Sequence, residues 1–78
     1  MNLSMCIKAG DEGMRAGYRI AFNYNEQVVE CLKRSVPHTA RSYYPETKQW
    51  WVSIEYEGVL DKMFSNFDAL AHKQGILF

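Results

Sequence analysis

The groups in this 78-residue chain that could carry acid–base, nucleophilic or metal chemistry are His38, His72, Cys6, Cys31, Asp11 and Glu12. Hydrolysis or group transfer needs a nucleophile, a base and an orienting group within hydrogen-bond reach, and these residues do not fall into such a set. His38 follows Pro37 in a loop, and His72 stands near a helix end, where an imidazolium suits the dipole. Cys31 lies on an apolar helix face without the electropositive setting that lowers a thiol pKa. Two cysteines without a spacing pattern, in a chain that starts without a leader, read as reduced core residues. Asp11 and Glu12 lack the alternating oxygen ligands of a calcium loop and read as turn residues. Gly10, Gly13 and Gly17 are followed by a strand and by no Lys-Ser/Thr, so they form no phosphate-binding loop. The chemistry expected is therefore non-catalytic, with no cofactor and no metal.

Binding chemistry is better represented. Trp51 and Tyr44 fall on one face of an aromatic hairpin, and Arg19 should project from the same sheet face. Lys33, Arg34, Arg41 and Lys48 bracket the hairpin in sequence. Stacking aromatics beside cations are what single-stranded nucleic acid uses. Formal charge is zero, with nine basic and nine acidic residues, which excludes the broad basic surface of a bulk nucleic-acid packager. The charge is unevenly placed. Residues 31–50 hold Lys33, Arg34, Arg41 and Lys48 against Glu46, while residues 51–70 hold Glu55, Glu57, Asp61 and Asp68 against Lys62.

The elements that must position these groups follow from periodicity and punctuation. Leu3–Lys8 and Tyr18–Tyr24 read as strands on either side of a glycine-containing loop, and Tyr18, Ile20, Phe22 and Tyr24 alternate with polar or small residues. Asn25 caps a helix from Glu26 to about Val36, with Tyr24 and Val29 as a hydrophobic staple; Val28, Val29, Cys31, Leu32 and Val36 form its inner face, and Pro37 stops it. Pro45-Glu46-Thr47-Lys48 is a four-residue hairpin connection with Pro45 at the first corner. Counting back from it pairs Tyr44 with Gln49, Tyr43 with Trp50 and Ser42 with Trp51. Tyr43, Trp50, Val52 and Ile54 then face the core, and Tyr44, Gln49, Trp51 and Ser53 face outward. Removing Trp50 should accordingly cost far more than removing Trp51.

A last helix is expected over Glu57–Gln74, with Val59, Leu60, Met63, Phe64, Phe67, Leu70 and Ala71 buried and Gly75 as its cap, before Ile76-Leu77-Phe78 packs back on the sheet. The order is ββαββα, an α+β domain with a mostly antiparallel sheet and two helices on one face. Its core should hold Tyr43, Trp50, Val52, Phe22, Ile20, Val29, Leu32, Leu60, Phe64 and Phe67. A chain this short buries only roughly 60% of its unfolded surface, so its 47% hydrophobic content is nearly all needed for folding. No window approaches the roughly 18 residues of a membrane span, and a cytoplasmic protein is expected.

Phe22 and Tyr24, Val28–Arg34, then Tyr43, Pro45, Thr47, Lys48 and Trp50, then Val59-Leu60 resemble, over Tyr18 to about Phe64, the HARP domain found beside the motor of annealing helicases of the Swi/Snf type. The chain departs from that pattern at Ser42, where the family prefers a basic residue, and at Tyr44, where it prefers Asp. The resemblance implies recognition of single-stranded or branched DNA, with any ATP-driven motor on another chain, as in a small accessory or mobile-element protein. Residue chemistry alone leaves a second class open, a protein-interaction or inhibitory module, possibly a homodimer, in which Trp51 and Tyr44 are interface anchors.

Overall fold

The structure, a computed structural model, describes residues 2–10, 13 and 15–71. These form four strands, β1 (Met5–Lys8), β2 (Gly17–Ala21), β3 (Arg41–Tyr44) and β4 (Gln49–Ser53), and three α-helices, α1 (Glu26–Ser35), α2 (Glu57–Met63) and α3 (Phe67–Ala71). Single 3₁₀ turns at His38–Ala40 and Ile54–Tyr56 lead into β3 and α2. The sheet order is β1-β2-β4-β3, and every pair is antiparallel. This is the expected α+β fold, and Asp11, Glu12, His72, Gly75 and 76–78, for which the sequence also raised expectations, lie outside the described residues.

Local chemistry accounts for α1. The Asn25 side-chain oxygen accepts from the backbone N–H groups of Gln27 (3.0 Å) and Val28 (3.3 Å), which satisfies donors the helix itself leaves free. Glu26 sits in the first turn and Lys33 and Arg34 in the last, each sign matched to the dipole. Leu32 and Val36 are buried and Val28 and Val29 half-buried, but Cys31 is exposed, so it is not the core residue expected.

The core lies between the helices and one face of the sheet: Leu3, Cys6, Tyr18, Ile20, Leu32, Val36, Ala40, Val52, Leu60, Phe64 and Phe67. The Tyr18 and Phe67 rings meet edge to face, 5.1 Å between centroids. The continuous helix expected over 57–74 is broken after Met63. Phe64 is extended (φ −123, ψ 116), and Asn66 turns its amide to the N-terminal segment, accepting from the Leu3 N–H (2.8 Å) and donating to the Leu3 carbonyl (2.9 Å). Two hydrogen bonds to a buried backbone outweigh one more helical turn. Ile54 is also displaced from its expected core position: its N–H donates to the Ala16 carbonyl, the strand ends, and the side chain is exposed.

Two buried ionisable groups make stability fall in alkali. Burial, together with the Glu57 carboxylate that accepts its hydroxyl hydrogen, pushes Tyr18 from an ordinary 10.0 up to about 12. Burial pushes the Cys6 thiol from 9.0 up to about 11. Each folded-state pKa is raised, so the folded chain holds a proton that the unfolded chain has released. The contribution is intact below pH 9 and is lost through pH 9–11 for Cys6 and pH 10–12 for Tyr18. Each is worth roughly 2 to 3 kcal/mol when fully lost. Urea midpoints should fall steadily above pH 9, and Cys6→Ala should delay the decline to about pH 10; a flat profile to pH 11 would contradict the burial of both groups.

Candidate nucleic-acid interface

The hairpin pairs as counted from its turn: Tyr44 with Gln49, Tyr43 with Trp50, Ser42 with Trp51 and Arg41 with Val52. The turn closes through the Thr47 N–H to the Tyr44 carbonyl (3.3 Å), and Lys48 takes a positive φ of 54° to enter β4. The assignment of residues to the two faces is therefore as expected. What covers each face is not.

One row across the core face runs Cys6, Ile20, Trp50, Tyr43. The first two are buried, Trp50 is half-buried and Tyr43 is 48% exposed. The sheet is about 20 Å wide, twice the diameter of the helix laid on it. α3 packs on β1, and among the described residues no α-helix packs closely on the edge strand β3. Tyr43 is thus not the core residue expected, and Trp50, Phe22 and Val29 are only half-buried.

The uncovered end is a cleft of 540 Å³ between α1 and the hairpin, lined by Phe22, Tyr24, Val29, Lys33, Arg41, Ser42, Tyr43, Lys48 and Trp50. Trp50 braces Tyr43, with ring centroids 4.8 Å apart and planes tilted by 46°. Tyr24, just before the α1 cap, is 80% exposed. Lys33 reaches the cleft from α1 and Lys48 from the hairpin turn. Arg41 also donates its Nε–H to the Val36 carbonyl at the α1 C-terminus (3.0 Å), which holds helix and hairpin together. Among the described residues, three cations and four aromatics line this cleft, and no carboxylate does. A separate groove of the same volume, lined by Glu57, Gly58, Asp61, Phe67 and Asp68, carries the acidic segment.

On the outer face the row runs Ile7, Arg19, Trp51, Ser42. Trp51 is fully buried, which removes it as an outward stacking group. Ala9 and Arg15 close on it: its indole N–H donates to the Ala9 carbonyl (2.9 Å), and the Arg15 guanidinium lies 5.0 Å from the ring centroid while donating to the Thr39 carbonyl (2.9 Å). Arg19 and Tyr44 share the outer face, with the guanidinium 4.2 Å from the ring centroid.

Of the residues singled out from sequence, the structure brings Lys33, Arg41 and Lys48 into one cleft, sets Arg19 and Tyr44 together on the opposite face, leaves Arg34 exposed outside the cleft lining, and buries Trp51. The residues missed are Tyr24, Tyr43, Phe22 and Trp50. Their alternation was visible, but it reads equally well as core. Among the described residues no helix is long and apolar enough to cross a membrane, and no three His, Cys, Asp or Glu residues are grouped to hold a metal ion. No protein-family model, curated protein or solved structure matches the chain.

Proposed function

We propose that the chain is a non-catalytic binding module for single-stranded or branched DNA, and that the cleft between α1 and the hairpin is where it binds. One observation supports this above the rest: in a molecule of zero net charge, a concave, aromatic-lined surface carries Lys33, Arg41 and Lys48 and, among the described residues, no acidic one. Tyr24 and Tyr43 would stack on unpaired bases while the cations meet phosphates. The stacking role first read for Trp51 passes to these two tyrosines. The HARP resemblance implies the same ligand, with any motor activity residing on a separate chain.

Tryptophan emission offers a direct test, because Trp50 lines the cleft and Trp51 is sealed from solvent. Titration with single-stranded and forked oligonucleotides at low salt should quench Trp50, and the quenching should vanish in Trp50→Phe. Three cations meeting phosphates on a single strand correspond to a salt slope of about −2, and Lys33→Ala combined with Lys48→Ala should reduce it to roughly −0.7 and weaken binding at least tenfold. Unchanged anisotropy of labelled oligonucleotides at high micromolar protein would retire the reading.

A second reading, a protein-interaction module, is favoured by one feature: β3 lies at the sheet edge with Tyr43 exposed beside it, an arrangement open to strand pairing with another protein or a second copy. A stable dimer by sedimentation that buries Tyr43 would support this reading over the first.

A further inference from the structure

We infer that the outer face of the hairpin carries a second nucleotide-binding site, centred on Arg19 and separate from the cleft; this rests on the nucleic-acid reading above. The site is a groove of 370 Å³ lined by Arg19, Tyr44, Pro45, Glu46 and Thr47. No residue of this set lines the α1 cleft. Tyr43 and Tyr44 are consecutive in a strand, so they point to opposite faces, and each face of the hairpin has its own tyrosine.

Arg19 has the features of a group prepared for an external ligand. It projects from a central strand, and its guanidinium lies 4.2 Å from the Tyr44 ring centroid. Its Nε is buried with no hydrogen-bond partner, which is costly for a charged donor. An arginine that lines a groove against a tyrosine ring offers its terminal N–H groups to phosphate oxygens, and the unpartnered Nε behind them is a donor the fold itself leaves unused. Glu46 is the only carboxylate among the described residues of the lining and opposes an anion there. Binding at this site should therefore be the weaker of the two, and neutralising Glu46 should strengthen it.

The experiment is a titration of the full chain with pentathymidylate at low salt, followed by calorimetry and by backbone amide shifts. Two oligonucleotides should bind per chain, one shifting residues around Tyr24, Tyr43 and Trp50 and the other shifting Arg19, Tyr44 and Thr47. Arg19→Met, which keeps the aliphatic stem, should reduce the stoichiometry to one and leave the cleft shifts intact. Glu46→Gln, at an exposed turn position with no packing role, should tighten only the outer site, by roughly threefold. One oligonucleotide per chain in the cleft, with affinity indifferent to both substitutions, would overturn the second site and leave the cleft reading standing. Absence of any binding would overturn both, and hexaglutamate displacing the outer oligonucleotide more strongly than free thymidylate does would reassign the groove to acidic peptides.

Discussion

Trp51→Ala is expected to cost roughly 3 to 5 kcal/mol, the range for truncating a buried large aromatic. For a domain of this size that is comparable with its whole stability, so the variant should be largely unfolded at room temperature. The indole is fully buried, donates to the Ala9 carbonyl, and supports Arg15 above it. Its loss leaves a cavity, an orphaned carbonyl and an unsupported connection in one step. Trp51→Phe should cost less, about 1 to 3 kcal/mol, because the ring volume is mostly kept and the main loss is the hydrogen bond. Trp50→Ala should be the milder of the two alanine variants, since Trp50 is half-buried at the cleft. Equilibrium urea denaturation of the three variants checks the order. The reverse ranking, which the sequence alone suggests, would mean that the outer face is open.

That reversal shows what a short sequence can and cannot specify here. Pairing in the β3–β4 hairpin is legible because Pro45 fixes the turn and a period of two then places every partner, and it agrees residue by residue with Tyr43↔Trp50 and Ser42↔Trp51. The start of α1 is legible because the Asn25 cap is a local interaction. Alternation divides residues between two faces but does not say how far each face is covered. Burial of Trp51 depends on where Ala9 and Arg15 fall, and exposure of Tyr43 depends on how far the described helices extend toward the edge strand β3. Both are long-range outcomes. The break between α2 and α3 has the same origin: the apolar stripe continues through Phe64 and Phe67, and it is interrupted where Ser65 and Asn66 bond Asn2 and Leu3, 63 residues away. The cleft was hidden for a related reason, since an aromatic row at a sheet edge has the same sequence pattern as one in a core.

Gly17→Ala should also be severely destabilising, by roughly 3 kcal/mol or more, beyond the usual range for overpacking because one obstacle is backbone. Gly17 opens β2 opposite Ser53 and has no positive φ, so the requirement for glycine here is steric and not conformational. A Cβ at this position would collide with the Val52 carbonyl oxygen and lie 2.6 Å from the Cε2 and Cζ2 atoms of Trp51. The ring could tilt away only by giving up its hydrogen bond to the Ala9 carbonyl, and the carbonyl could move only by opening the β2–β4 pairing at the centre of the sheet. A double variant separates the two obstacles. If the ring were the only obstacle, Gly17→Ala would be nearly free in a Trp51→Phe background, which stays folded with a smaller ring; because the Val52 carbonyl remains, a substantial part of the penalty should persist there. For a domain of this length the single substitution corresponds to a Tm lower by roughly 12 to 24 °C. A Gly17→Ala protein that melts within a few degrees of the parent would show that the Trp51 ring does not lie against β2, and with it the closed outer face would fall.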